Sequence, residues 1–275
     1  MRAPLSRVET VRVRDGGARA GSRTVPEEVP VALVYDGTTH SVMLASPQDI
    51  EDFAVGFSLT EARIAPADIR ELEVVERAGG IEARMWLEPG AGRGVAERRR
   101  AMLGPTGCGL CGIDSLEAAL PTLPAVAAEV RYTAAEILAA MKAIRPAQVL
   151  NRQAQALHAA GFWSPAAGLV ALREDVGRHN ALDKLAGALV RAGTGPAGGL
   201  LVLTSRVSVE LVQKAAVLGA PVLVAVSAPT ALALETARAA GITVAAVARE
   251  DGFEVFTRPD RILIDAEEVP VRAAG

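Results

Sequence analysis

Residues 200–247 read LLVLTSRVSVELVQKAAVLGAPVLVAVSAPTALALETARAAGITVAAV, and this stretch decides the fold. Three short apolar runs in it are typical of buried strands, and two stretches with helical spacing lie between them. The order strand, helix, strand, helix, strand predicts a parallel βαβαβ unit with right-handed crossovers. The predicted strands are Gly199–Thr204, Pro221–Val226 and Ile242–Val247, and the predicted helices are Ser208–Leu218 and Thr230–Ala240.

The chain before this unit also alternates between strand and helix patterns. Strands are predicted at Leu157–Trp163 and Leu169–Arg173, a helix at Asn180–Arg191, and another from the capping box Thr133-x-x-Glu136 to about Ile144. Nearer the N-terminus, Val29–Tyr35 with Thr39–Leu44 and Glu71–Arg77 with Ile81–Leu87 are predicted as hairpins. Between them, Ser46 is predicted to cap a helix whose apolar positions are Ile50, Phe53, Phe57 and Ile64.

These patterns predict an α/β protein with a smaller β-rich N-terminal region. We expect a flexible N-terminal arm at residues 1–27, containing one strand near Val8–Val13, and a subdomain of hairpins and one helix at 28–87. Seven glycines, Pro89 and Pro105 indicate a long mobile loop at 88–113. The α/β domain is expected to occupy residues 114–270.

The composition is that of a globular chain without an overall basic field. The 275 residues are 50% apolar, the mean hydropathy is +0.26 and the formal net charge is −3, so neither nucleic acid nor an anionic membrane is expected as a partner. Met1 to Gly17 lacks the apolar segment of a signal peptide, which predicts a cytoplasmic protein. Residues 215–234 carry no charge, but Gly219-Ala220-Pro221 and Ser227-Ala228-Pro229 interrupt them, so we predict core strand and helix there rather than a membrane span.

The two cysteines, Cys108 and Cys111, lie three positions apart in the glycine-rich loop. A structural zinc ion needs four ligands, and the chain has no second cysteine pair, so no metal site is predicted. Three readings stay open from the residues alone. The pair is a redox dithiol, a carrier of persulfide sulfur on a flexible arm, or two small loop residues without chemistry.

Two segments that follow predicted strands have the features of anion sites. Arg173 to Asn180 leads through a glycine turn into a helix and contains Arg178 and His179, with Asp183 and Lys184 on the next turn. Thr204-Ser205-Arg206-Val207-Ser208 follows the first strand of the βαβαβ unit, where open parallel sheets bind ligands. Ordinary strand-to-helix loops with capping serines would explain the same residues, and no standard nucleotide motif follows a strand.

His158 opens the segment His158-Ala159-Ala160, which lacks the glutamate of the zinc deaminase motif. The cysteines also precede this histidine, so a deaminase active site is not expected. A histidine in this position is more often part of a core than a ligand.

Five segments together resemble the formate dehydrogenase accessory sulfurtransferases. They are GCGLCG at 107–112, HAA at 158–160, REDVGRHNALDKL at 173–185, TSRVSVELVQKA at 204–215 and AVSAP at 225–229. The resemblance runs from about residue 29 to residue 262. It implies a cytidine deaminase-like fold for the C-terminal α/β domain and makes that domain the cofactor-binding part.

The resemblance also implies a reaction. A cysteine desulfurase would supply sulfur, Cys108 would carry it as a persulfide, and Cys111 would assist. The acceptor would be the molybdenum or tungsten bis-guanine-dinucleotide cofactor of formate dehydrogenase, bound as substrate through its two guanosine diphosphate moieties. The resemblance further implies a homodimer. The residues expected to contact the cofactor are Arg178, His179, Lys184, Ser205, Arg206, Val247, Ala248, Arg249, Glu250, Asp251 and Gly252.

Overall fold

The computed structural model describes residues 2–92 and 121–264. The strands are β1 (Leu5–Arg14), β2 (Gly17–Pro26), β3 (Val29–Tyr35), β4 (Thr38–Ala45), β5 (Ile69–Arg77), β6 (Gly80–Leu87), β7 (Tyr132–Thr133), β8 (His158–Ser164), β9 (Gly168–Asp175), β10 (Leu200–Leu203), β11 (Val222–Ala225), β12 (Thr243–Ala246), β13 (Glu254–Thr257) and β14 (Ile262–Leu263). The helices are α1 (Ile50–Thr60), α2 (Ala134–Ala147), α3 (Asn151–Ala154), α4 (Arg178–Arg191), α5 (Val209–Leu218) and α6 (Ala231–Ala240).

A six-stranded sheet in the order β13-β12-β11-β10-β8-β9 carries the C-terminal half. Its central strands β10, β11 and β12 are parallel and are joined by α5 and α6, which confirms the predicted βαβαβ unit. All residues of these three strands are buried, as continuous apolar runs predict for a sheet covered on both faces. The α/β class is therefore confirmed, whereas the cytidine deaminase-like arrangement stays a prediction.

The uncharged run 215–234 is divided among the end of α5, strand β11 and the start of α6, as predicted. In the described ranges, no helix is both long and apolar enough to cross a membrane. The capping box is confirmed as well, because Thr133 accepts from the Glu136 amide and Glu136 accepts from the Thr133 amide.

A second, four-stranded sheet in the order β4-β3-β6-β5 forms the N-terminal region, with α1 packed against it. Both hairpins are confirmed, and Ile50, Phe53, Phe57 and Ile64 all lie in its core. The predicted cap was wrong: the N-cap of α1 is Asp49, and no side chain caps the helix.

Residues 5–26 form a hairpin of two ten-residue strands, where the sequence predicted only one strand in a flexible arm. The turn explains the difference. Asp15 and Gly16 both have positive φ, at 49° and 76°, which is the geometry of a type I′ hairpin turn. The boundaries proposed at residues 28, 88 and 114 stay predictions.

Helix α1 of the N-terminal region packs against helix α4 of the C-terminal half. On each helix, the residues at this contact are spaced four apart and form a stripe. A Cβ on Gly56 would lie 1.7 Å from the Asp183 carbonyl oxygen, and one on Gly187 would lie 1.8 Å from the Asp52 carbonyl oxygen. The helices therefore touch backbone to backbone at their crossing. Arg191 bonds to Asp52 at 2.5 Å on one side of it, and Thr60 bonds to Asp183 at 2.6 Å on the other, so the helices run antiparallel.

Candidate functional site

Four strands of the six-stranded sheet end at one edge. Strands β9 to β12 all run toward it, and β8 begins there, because β8 is antiparallel to both β9 and β10. The segments expected to bind the cofactor follow β9, β10 and β12, so the fold brings them to this edge, which we call the ligand edge. The uncapped N-termini of α4 and α5 lie at the ligand edge as well.

Hydrogen bonds join the neighbouring loops of the ligand edge. Thr204 Oγ1 accepts from the Ala159 amide at 2.8 Å, which ties the β10 loop to β8. A parallel bridge pairs Val207 with Pro229, and the Thr230 amide donates to the Val207 carbonyl at 3.0 Å. Ser205 is buried and Arg206 is exposed beside it, which leaves the guanidinium accessible at the loop surface.

The segment Val247 to Gly252 closes the edge beyond β12. Val247 has φ of 54°, a rare conformation for a β-branched residue, and directs the chain into a turn in which the Arg249 amide donates to the Gly252 carbonyl at 2.8 Å. The Arg249 guanidinium donates to the carbonyls of Val226 and Ala248 at 2.5 and 2.9 Å. Arg249 thus fastens the β12 loop to the β11 loop. Ala248 is buried, while Glu250 and Asp251 are exposed.

The loop between β9 and α4 is organised by the buried carboxylate of Asp175. It accepts from the Gly177 amide at 2.8 Å, the Asn180 side chain at 3.0 Å and the Ser46 amide at 3.0 Å. Lys184 pairs with it at 2.7 Å and donates to the Ser46 carbonyl at 2.8 Å. Ser46 therefore docks the end of β4 on this loop instead of capping α1.

Lys184 has no exposed surface, so the expectation that it contacts the cofactor is corrected. Its ammonium group bonds to Asp175 and to the Ser46 carbonyl inside the protein. Burial lowers the pKa of Lys184, and Asp175 opposes that shift. The residue positions the β9–α4 loop, and the sequence could not show this because neither its burial nor its bond to Ser46 follows from spacing.

Arg178 and His179 occupy the first turn of α4, which begins two residues before the predicted start at Asn180, and both are half-buried. Within the described ranges, Arg178 Nε and His179 Nε2 are buried atoms without a hydrogen-bond partner. Burial, with the charges of Lys214 and Arg178, lowers the pKa of His179 to about 3. The pKa of His158 is lowered by burial and by Arg178. Both imidazoles are therefore neutral at neutral pH and lie in a positive environment.

Behind this helix end lies a buried polar cluster that the spacing of residues in the sequence did not predict. Lys214 donates to both carboxylate oxygens of Asp183 at 2.8 and 2.9 Å and to Thr60 Oγ1 at 3.2 Å, and it also pairs with Glu61. Burial raises the pKa of Asp183 to about 6, with Lys214 opposing. Although burial lowers the pKa of Lys214, its two carboxylate partners outweigh this and the net pKa is raised.

Thr60 and Glu61 come from the end of α1, so both regions of the chain build this cluster. A signal was present in the composition, because lysine is rare here and only Lys142, Lys184 and Lys214 occur. The spacing of residues could not reveal that two of these three lysines are buried.

The ligand edge suits an anionic group. Helix N-termini present unpaired amides and positive dipole ends, and the neutral His179 with Arg178 adds donors. Ser208, the N-cap of α5, does not accept from its helix, and its buried hydroxyl has no partner within the described ranges. In the part of the chain that the structure describes, no group of three or more His, Cys, Asp or Glu residues could hold a metal ion. Cys108 and Cys111 lie outside the described residues.

Comparison with known proteins assigns the chain to a family. The family model described as FdhD/NarQ family matches residues 26–263. The chain belongs to the FdhD/NarQ family. A relative from Agrobacterium fabrum, named sulfur carrier protein FdhD, is 53% identical over 266 residues, covering 95% of this chain and 97% of its own. A Brucella abortus protein of the same name is 50% identical over 252 residues, covering 91% of this chain and 94% of its own.

A crystal structure from Desulfotalea psychrophila, named as a formate dehydrogenase accessory protein, has the same fold as this FdhD/NarQ member. Its TM-score is 0.73 at 24% identity, and the match covers 95% of this chain and 100% of that one. The likeness shows the fold alone. The resemblance to the formate dehydrogenase accessory family, drawn first from five sequence segments, is thereby confirmed.

Proposed function

We propose that this chain is a sulfur carrier that acts in the maturation of formate dehydrogenase. The observation that carries the proposal is the 53% identity, over 97% of its length, to a relative named as a sulfur carrier protein. A cysteine desulfurase is the proposed donor. The acceptor is the bis-guanine-dinucleotide cofactor of molybdenum or tungsten, bound as substrate. The proposal places a homodimer in the cytoplasm, and it includes a cytidine deaminase-like arrangement of the cofactor-binding domain.

Sulfur loading requires Cys108 as a thiolate. The thiolate attacks the outer sulfur of a persulfide on the desulfurase, a new S–S bond forms, and the desulfurase thiolate leaves. A lowered thiol pKa favours this step at neutral pH, and a cationic neighbour or a helix N-terminus would lower it.

Sulfur release is assigned to Cys111. Its thiolate attacks the Cys108 sulfur of the persulfide, the two cysteines become a disulfide, and the outer sulfur leaves as hydrosulfide for the metal. The two electrons that reduce the sulfur come from the thiol pair, so a dithiol reductant of the cell must reduce the Cys108–Cys111 disulfide before the next turnover.

The bis-guanine-dinucleotide cofactor would lie on the ligand edge. Its diphosphate groups suit the uncapped helix N-termini of α4 and α5 and the exposed Arg206. Arg178 and His179 supply the unpaired donors described above. The turn from Val247 to Gly252, fastened by the Arg249 side chain, would contact the guanosine end. Lys184 contributes by holding the β9–α4 loop.

Intact-mass analysis tests the loading step. After incubation with a cysteine desulfurase and cysteine, the wild-type protein should gain about 32 Da per sulfur on Cys108. The C108A variant should gain nothing there, and C111A should load but fail to release sulfur as hydrosulfide. Loading of C108A to the wild-type level would contradict the proposal, as would disulfide reductase activity without any persulfide adduct.

Formate dehydrogenase activity in cells tests the role. Cells that carry C108A as the sole copy should make inactive enzyme, whereas the conservative change Lys142→Arg at an exposed position should leave activity unchanged. Normal activity in the C108A cells would exclude the proposed function.

A further inference from the structure

The β1–β2 hairpin has two chemically different faces. Directly opposed residues share a face, and residues two apart along a strand share it as well. One face carries four arginines and no acidic residue among the paired positions; these are Arg12, Arg14, Arg19 and Arg23. We call it the arginine face. The other face, toward the turn, carries small apolar side chains, of which Val11 and Val13 are each 69% exposed.

The arginine face destabilises the hairpin when no partner covers it. Arg12 and Arg19 lie directly opposite each other in the register, and like charges in that relation destabilise a hairpin. Several other cations of the protein do have carboxylate partners, as Arg173 has Asp52. Within the described ranges, none of the four arginines of the arginine face makes a hydrogen bond or an ion pair.

The outer part of the hairpin has little else to stabilise it. Every residue from Val11 to Arg23 is exposed, whereas the base is held by the Glu27 amide donating to the Pro4 carbonyl at 2.9 Å. An isolated two-stranded hairpin is marginal in water, and this one has some support because β2 contacts α3. The hairpin precedes residues 26–263, the part of the chain that the family model matches.

We propose that the arginine face is a docking surface for a protein partner that presents a carboxylate-rich surface. Carboxylates would neutralise the Arg12–Arg19 pair through charge-assisted, bidentate hydrogen bonds. A protein is favoured over other polyanions for two reasons. The hairpin has no aromatic residue for stacking on bases or for anchoring in a bilayer, and the chain as a whole is acidic, with a net charge of −3. The inference does not depend on sulfur transfer.

Charge reversal in the full-length protein tests the surface. The probe is a fluorescein-labelled peptide of alternating glutamate and serine, followed by anisotropy at low and at near-physiological ionic strength. R12E/R19E should weaken binding by about tenfold or more, because two interfacial charge pairs are reversed. The matched control R70E/R131E reverses two exposed arginines away from the hairpin and should bind within about twofold of wild type.

A second variant and a second readout guard against misfolding of the first. R14E/R23E should weaken binding similarly, and circular dichroism should show a fold like that of the wild type. Peptide binding should also slow hydrogen exchange of the amides in residues 11–20 of the wild-type protein.

Four results would overturn the proposal. They are no peptide binding by wild type, equal loss in the control, tighter binding to duplex DNA or anionic vesicles than to the peptide, and a change of oligomeric state on R12E/R19E. The last would assign the face to a second copy of this chain.

Discussion

Lys184 and Lys214 each place a positive charge inside the protein, and each is held by carboxylates. Desolvation makes buried ion pairs expensive, so they add little stability over an apolar pair, but removing one partner leaves an uncompensated charge. The main role of these lysines is therefore to hold segments of the chain in position. Lys184 holds the β9–α4 loop to the end of β4, and Lys214 holds the end of α1 against α4 and α5.

Replacement of Lys184 by methionine should destabilise the protein by about 3–5 kcal/mol, because the Asp175 carboxylate stays buried without its cation. Urea unfolding measures the change. K142M at an exposed position is the matched control and should shift stability by less than about 0.5 kcal/mol. Equal small effects of both changes would contradict the structural role of Lys184.

Replacement of His179 by glutamine should change how stability depends on pH. The folded-state pKa of His179 is lowered to about 3, so its contribution is present above about pH 6.5 and is lost as the pH falls from there toward 3. Asp183, whose pKa is raised to about 6, has the opposite sign: its contribution is present below about pH 4 and is lost as the pH rises through 6.

In the wild type, the effects of His179 and Asp183 on the free energy of unfolding partly cancel between pH 4 and 6. The informative quantity is therefore the difference in the free energy of unfolding between H179Q and the wild type. As the pH falls through that window, the free energy of unfolding of H179Q should rise relative to that of the wild type by about 1.4 kcal/mol per pH unit. Chemical unfolding at each pH measures the difference. Parallel stability curves for the two proteins would exclude a depressed pKa at His179.

At the scale of elements, the crossing of α1 and α4 rests on Gly56 and Gly187, which permit backbone contact. G56A places a methyl group against the Asp183 carbonyl, and the expected destabilisation is about 3 kcal/mol or more, since backbone cannot move aside as a side chain can. Thermal and urea unfolding measure it. Gly195, with nothing within 4 Å of an added Cβ, provides the control variant G195A, which should be nearly neutral.

Helices and strands with a regular pattern of apolar residues were predictable from the sequence. Contacts between segments that are distant in the sequence were not. Continuous apolar runs predicted β10 to β12, and alternation predicted the hairpins of the four-stranded sheet. The second strand of the N-terminal hairpin was missed although Asp15-Gly16 is a turn signal, because β2 is rich in small and polar residues. Ser46 was predicted as a cap from its residue type and from Pro47 and Asp49 after it, whereas its amide and carbonyl bond to residues about 130 positions away.

At the scale of the whole molecule, the ligand edge and the cysteine pair are separate parts with separate tests. R206A should weaken binding of guanosine diphosphate by about tenfold, since it removes one charge-assisted phosphate contact. C108A should bind guanosine diphosphate as the wild type does. Isothermal titration calorimetry measures both, with R70A on the other sheet as the charge-matched control.

An equal loss in R206A and R70A would mean that only net charge matters, and the ligand edge would then not be a phosphate site. Unchanged binding in R206A would exclude its contact with the ligand.

The location of the candidate site was predictable because its segments follow parallel strands, whose ends meet at one edge. Its composition was only partly predictable. Glu61 and Thr60 reach the polar cluster from α1 through a contact between distant segments, and no local pattern encodes such a contact.

The antiparallel contact of α1 with α4 also has a consequence for biosynthesis. The partners of α1, from Arg173 to Arg191, leave the ribosome on the order of ten seconds after α1 does at ordinary rates of synthesis. During that delay the stripe of Asp52, Gly56 and Thr60 faces water uncovered. Because the stripe itself is polar and small, the apolar surface that α1 exposes on this side during the delay is limited to neighbouring side chains such as Leu59, which later packs on the C-terminal core.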